Sequence, residues 1–225
     1  MRWPTIWPSP RRTHGAHAEG GARARASCFG SRTCRGWAEA IRMPRHAPAG
    51  HFKTSRLTFS PIVLDDASRI FDGYASRELS TRFMNFARHE SLAESEAWAA
   101  RCVDCWNDGS AFPWTLKQRH TGAYIGNLEL RVAPPKADFG YAFCEDAWGQ
   151  GYATEAASAV VRWALQQPEI FRVWATCHPE NAASARVLEK SGLRFEACLA
   201  NWEARPQLGE LAGDSLAYVV TKPAT

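Results

Sequence analysis

Trp148-Gly-Gln-Gly-Tyr-Ala-Thr154 is the stretch that decides how this chain folds. A strand-like run over residues 138–145 precedes it, and a strongly periodic helical run over 155–167 follows. Two glycines permit a tight turn and let the backbone approach a ligand closely. The residues after them open a helix, whose unpaired N–H groups and dipole favour negative charge. Strand, glycine turn and helix N-terminus together make a pyrophosphate cradle. The stretch matches neither common phosphate-loop pattern, since no Gly-Lys-Ser/Thr follows and Gly-x-Gly lacks its third glycine. Taken alone, it serves equally well as an ordinary strand-to-helix turn.

Working outward, the pattern is regular from Ser55 onward. Leu57 and Phe59 alternate on one face of a first strand over 56–64. Asp65 or Asp66 caps a helix carrying Ile70 and Phe71. Ser91-Leu-Ala-Glu94 has capping-box spacing and opens a second helix over 91–107, with Trp98, Cys102, Cys105 and Trp106 at helical intervals and Gly109 as its stop. Strands are expected over 111–119, 124–132 and 138–145, the last after a break at Pro134-Pro135-Lys136. The helix after the glycine turn has one broad apolar face of Ala153, Ala156, Ala157, Val160, Val161, Ala164 and Leu165, and Pro168 ends it. A strand over 171–178, a helix opened by Asn181 and stopped at Gly192, and strands over 193–201 and 215–221 complete the order. The class is α/β, a mixed, mostly antiparallel sheet with helices on both faces and no repeats.

The net charge of +4 conceals a division. Residues 1–50 hold nine Arg, no Lys and two acids, a net of +7, which leaves 18 basic and 21 acidic groups, a net of −3, for the remaining 175. The domain, 55–225, is therefore not basic, and pI says nothing about its partner. Segment 1–54 is rich in Arg, Pro, Gly and Ala without helical or strand period, which suits an unfolded extension. A nucleic-acid-binding tail, an organelle transit peptide and a start codon assigned too early, with Met43 as the true start, are the alternatives. No secretory signal is apparent. Seven cysteines at irregular spacing form no disulfide framework, so reduced thiols and a cytoplasmic location are expected. Cys102-Val-Asp-Cys105 lacks the second pair a zinc site wants, and no metal is implied. No apolar run approaches membrane-spanning length, so no membrane partner is expected.

Five blocks carry a family resemblance: Ser55-Arg-Leu-Thr-Phe, Ile125-Gly-Asn-Leu-Glu129, Phe139-Gly-Tyr-Ala-Phe143, Trp148-Gly-Gln-Gly-Tyr-Ala-Thr-Glu155, and Asn181-Ala-Ala-Ser-Ala-Arg-Val-Leu-Glu-Lys-Ser-Gly-Leu-Arg194. In this order they resemble the GCN5-related N-acetyltransferase (GNAT) superfamily, within it the RimJ/RimL-like branch. The resemblance implies acetyl-CoA as cosubstrate and direct transfer to an amine acceptor, a peptide N-terminus or a small molecule. It also implies fourth and fifth strands that splay apart, freeing main-chain groups of residues 141–144 and 171–177 for the pantetheine arm. Cofactor contacts then fall on Phe143, Cys144, Trp148, Gly149, Gln150, Gly151, Tyr152, Ala153, Thr154, Asn181 and Ser184. An N–H near Phe143 would polarise the thioester carbonyl. Trp148 departs from the Gln or Arg that commonly begins this turn.

Many relatives place a tyrosine acid seven residues after the asparagine, where this chain has Leu188. Ser184, near the cofactor sulfur by resemblance, is the candidate proton donor; a serine in a first helical turn also simply bonds backbone. Glu129 is the candidate base, on a strand that lines the acceptor cleft in relatives, with Glu145 as rival. Alternation puts Glu129 and Arg131 on one face, which equally describes a solvated ion pair. His178 is structural or substrate-facing. Residues 73–90 and 201–215 are expected to select the acceptor through Arg77, Arg82, Phe83, Trp202 and Arg205, whereas Trp98, Trp106, Trp114, Trp148, Trp163 and Trp174 are read as core. A non-catalytic acyl-CoA-binding module is the alternative function. Nucleic acid is not needed, and the state is monomer or homodimer.

Overall fold

The computed structural model describes residues 47–223. The expectations for residues 1–46 lie outside the described residues. Among these, the strands are β1 (Phe52–Lys53), β2 (Leu57–Pro61), β3 (Phe112–Gln118), β4 (Tyr124–Ala133), β5 (Lys136–Phe143), β6 (Arg172–Cys177), β7 (Arg194–Arg205) and β8 (Glu210–Thr221). The helices are α1 (Ala67–Ile70), α2 (Glu78–Thr81), α3 (Leu92–Asp108), α4 (Tyr152–Gln166) and α5 (Ala182–Lys190). The eight strands form one open sheet in the order β1-β2-β3-β4-β5-β6-β8-β7, antiparallel except where β5 meets β6.

Pleat and helical period divide the core into two layers. Phe139 and Phe143 of β5 belong to a large cluster with Ala156, Val160 and Ala164 of α4 and Leu188 of α5. Ala142, on the other face of the same strand, packs with Ile70, Tyr74, Trp98, Ala99 and Cys102 from α1, the turn after it and α3. Leu57 and Phe59 are both fully buried, as their alternation requires. At the start of α3 the Glu94 carboxylate accepts from the Glu90 and Ser91 N–H groups at 2.6 and 3.4 Å, satisfying donors a helix start leaves open.

Three features depart from the sequence expectation. The fold begins before Ser55: β1 pairs with β2, Phe52 stacks on Phe59 at 4.0 Å, and the Trp114 indole donates to the Gly50 carbonyl at 3.0 Å. The short helix α2 interrupts the expected loop over 73–90. The strands expected over 193–201 and 215–221 run on into the segment between them: β7 and β8 form a hairpin of two 12-residue strands turned at Pro206–Leu208.

The junction of β5 and β6 positions the site. Their parallel pairing covers only Lys136↔Arg172, Ala137↔Val173 and Asp138↔Trp174. Beyond it β5 stays paired to β4 as far as Phe143↔Gly126, and β6 to β8 as far as Cys177↔Leu216. The sheet therefore opens in its middle, and two inner strand edges face a gap.

Candidate active site

That gap lies in a cavity of about 670 Å³. Its floor follows from the hydrogen-bond alternation of an antiparallel ladder. Cys144 N–H donates to the Ile125 carbonyl at 3.0 Å, so the main-chain groups of Tyr141 and Phe143 point the other way, toward β6. The Phe143 carbonyl accepts the Trp148 indole N–H at 3.0 Å, leaving the Phe143 N–H for a ligand. Cys144 thus belongs to the sheet and not to the cavity lining: its thiol sits close to Gly73, and burial pushes its pKa up to about 11.

The glycine turn closes one end. Gly149 (φ +72°) and Gly151 (φ +77°) both take the left-handed conformation, and Gly151 is the N-cap of α4. A Cβ on Gly149 would meet nothing within 4 Å, so the cradle is open above the backbone. Trp148, Gly149, Gly151, Tyr152, Ala153 and Thr154 line the cavity. Gln150 does not; its amide turns back to donate to the Asp146 carbonyl at 2.6 Å. Trp148 is 48% exposed at the cavity wall, unlike the fully buried Trp114, and so is no core residue.

Across the gap, Asn181 Oδ1 accepts from the Ser184 N–H at 3.0 Å and starts α5. The Ser184 hydroxyl is 2.8 Å from the Tyr141 phenol oxygen. Burial pushes the Tyr141 pKa well above the ordinary phenol value, against the pull of the Ser184 hydrogen bond, so the phenol stays protonated. Leu188, at the position of the usual tyrosine, is fully buried in the core. The sequence reading named only the Tyr141 main chain; the i, i+2 alternation of Phe139, Tyr141 and Phe143 was the signal for its side chain.

Glu129 and Arg131 line the far side of the cavity. Their pairing is not a solvated one. Glu129 is 7% exposed, and its Oε1 takes Arg131 Nη1 at 2.5 Å, while Arg131 Nε reaches Asp138 at 2.6 Å. Glu129 Oε2 is buried with no hydrogen-bond partner among the described residues. Burial raises the Glu129 pKa despite the opposing Arg131 charge. Glu145, the rival, accepts from Ser80 Oγ at 3.3 Å and does not line the cavity.

Two segments roof the other end of the cavity. Residues 79–80 and 82–85 line it from one side, Glu203 and Arg205 from the other. Asn85 donates to Glu203, Gln207 Nε2 donates to the Phe86 carbonyl at 3.0 Å, and Phe83 stacks on His178 at 5.0 Å. His178 is buried, with Nδ1 accepting from the Glu180 N–H at 3.1 Å, which directs Nε2 toward Glu210 at 3.5 Å. Arg205 is 2% exposed and paired with Glu203 at 3.0 Å. Arg77 and Trp202 lie elsewhere: Arg77 donates to the Asp72 carbonyl, and Trp202 packs edge-on against Trp174. Among the described residues no cluster of His, Cys, Asp or Glu could hold a metal ion, and no helix is long and apolar enough to cross a membrane.

Comparison with known proteins bears on this arrangement at three levels. The family model described as the acetyltransferase (GNAT) domain matches residues 56–194. The N-acetyltransferase YnaD of Bacillus subtilis (strain 168), itself uncharacterised, is 39% identical over 148 residues, covering 65% of this chain and 84% of YnaD. In fold, the chain is similar to Mycobacterium smegmatis RimJ in complex with CoA-disulfide, with TM-score 0.64 at 19% identity over 73% of this chain and 81% of that one. It is likewise similar to the Salmonella typhimurium acetyltransferase that modifies the N-terminal serine of ribosomal protein L7/L12, with TM-score 0.66 at 16% identity over 76% and 97%. The family match spans the glycine turn, both edges of the sheet gap and the Asn181 helix, and the chain belongs to the GNAT acetyltransferase family.

Proposed function

We propose that the protein transfers an acetyl group from acetyl-CoA directly to a primary amine, an N-terminal α-amine of a protein or the amine of a small molecule. The observation that carries this reading is the break between β5 and β6, whose two unpaired edges open onto one cavity with the glycine cradle at its end. Such edges are costly unless something bonds to them, and an amide-containing pantetheine arm fits them. Acetyl-CoA supplies an activated acyl group on a good leaving thiol. The chain's own residues hold and orient it: backbone N–H groups of 149–154 at the pyrophosphate, Phe143 N–H and the Tyr141 main chain along the arm, and Asn181 and Ser184 opposite. The reading places the enzyme in the cytoplasm, where thiols like its own stay reduced.

For the proton steps, Glu129 takes the amine's proton, directly or through water, and the Tyr141–Ser184 pair donates toward the departing thiolate. Glu129 acts as base only when ionised, and its pKa lies above the ordinary carboxylate range. The rate therefore rises as pH climbs through that raised value. Glu129→Gln is expected to lower kcat by roughly 10²-fold and to remove this acidic limb from the pH profile. An unchanged limb would assign the base elsewhere. Tyr141→Phe deletes the phenol and is expected to lower kcat about tenfold with little change in the KM for acetyl-CoA. Equal losses in both constants would make Tyr141 a packing residue.

A non-catalytic acyl-CoA-binding module is the second reading, favoured by Leu188 in place of the usual acid. CoA-thiol release by the full chain separates the two, with peptides bearing free N-termini in one acceptor panel and aminoglycosides, polyamines and amino acids in the other. Turnover in either panel supports the enzyme and names the acceptor class. CoA binding without release across both panels would favour the module.

A further inference from the structure

Ser55-Arg-Leu-Thr-Phe has no part in the chemistry above, yet Arg56 is bonded to the glycine turn from several directions. Its Nη1 donates to the Gln150 carbonyl at 2.9 Å, and its Nε to Glu155 Oε2 at 2.7 Å. Its guanidinium lies over the Tyr152 ring at 4.6 Å, and Nη2 is 3.5 Å from where a Gly151 Cβ would stand. Glu155, in the first turn of α4, collects three further donors: Arg56 N–H at 2.8 Å, Ser55 Oγ at 2.9 Å and Thr54 Oγ1 at 2.5 Å.

Two physical consequences follow. The Gln150 carbonyl and the Gly151 N–H belong to one peptide unit, so a charged donor on the oxygen polarises the N–H on the opposite side of that peptide. The turn 148–154 carries no cation, and a carboxylate stands one residue beyond it. Burial works against the Glu155 charge, but its four donors outweigh it and hold the pKa down to about 2, so that carboxylate is ionised at any physiological pH. Unopposed, it would repel a phosphate group at the same helix end.

We propose that Arg56 is a positioning residue for the cofactor pyrophosphate: from the bend just before β2 it fixes the Gln150–Gly151 peptide and cancels the Glu155 charge at the mouth of α4. The inference rests on reading the cavity as a CoA site. It adds a cation behind the turn to the backbone donors of 149–154, where the turn itself carries none.

Calorimetric titration of the full chain with CoA and, separately, with pantetheine, which lacks the pyrophosphate, tests it. Arg56→Met is expected to weaken CoA about tenfold and leave pantetheine unchanged. Adding Glu155→Gln to that variant is expected to restore part of the loss, since the uncompensated charge goes with it while the Gln150–Gly151 peptide stays unbraced. Equal weakening of both ligands, or a double variant worse than Arg56→Met, would reduce Arg56 to a structural brace and overturn the proposal. So would an Arg56→Met protein that binds CoA like wild type. Failure of the wild-type protein itself to bind CoA would instead overturn the reading of the cavity, and the inference with it.

Discussion

Gly151→Glu is expected to weaken CoA binding by two orders of magnitude or more while the protein stays folded. Gly151 sits at φ +77° as the N-cap of α4, a conformation that costs a residue with a Cβ about 1–2 kcal/mol. That strain alone is bearable for a domain of this size. The larger effect is electrostatic: on the proposed reading the new carboxylate stands at the phosphate cradle, and it either enters the cradle or competes with Glu155 for Arg56. Gly151→Ala separates the two causes, because it carries the strain without the charge and should cost only a few-fold. If Gly151→Glu and wild type give the same calorimetric Kd, the turn is not a phosphate cradle.

Gly126→Ala should have the largest effect on stability. Gly126 holds φ +144° in β4, and a Cβ there would lie 2.3 Å from the Ala142 carbonyl oxygen and 2.8 Å from Phe143 Cα. Both are backbone atoms of β5, so no side chain can swing aside and the strands themselves must part. A loss of about 3 kcal/mol is expected, a fall of roughly 10 °C in Tm. The displaced atoms adjoin the Phe143 N–H, so CoA affinity should fall as well. Gly140→Ala is the control: an added methyl at Gly140 meets nothing within 4 Å, and Tm should hardly move. Equal melting of wild type and Gly126→Ala in a thermal scan would contradict this account of the strand contact.

Much of the fold was legible because local signals agreed with one another. The apolar face of α4, the Ser91–Glu94 capping pair and the Asn181 cap each fix an element by short-range chemistry, and each element stands within a few residues of its expected place. What escaped was set at longer range. β1 is two residues long and has no period to read. The β7–β8 hairpin hides because its buried positions include Arg205 and Ser215, polar residues bonded to each other at 3.0 Å, where alternation leads one to seek apolar side chains. In the site, the turn and the Asn181 helix were readable as motifs, but Tyr141 meets Ser184 only through a contact between residues 43 positions apart. Cys144 misled for the opposite reason: it follows a strand whose outward edge is the useful one, yet the ladder claims its N–H.

The break between β5 and β6 has a consequence for the life of the molecule as well as for its chemistry. A sheet open in the middle is an unfinished fold, with two unshielded edges inside a single domain. If CoA closes it, the cofactor works as a ninth, removable strand, and mass action makes folding free energy a function of the cofactor pool. Amide hydrogens of β5 and β6 should then exchange fastest in starved cells and slowest in well-fed ones, so that the protein's own lifetime tracks the metabolite it consumes.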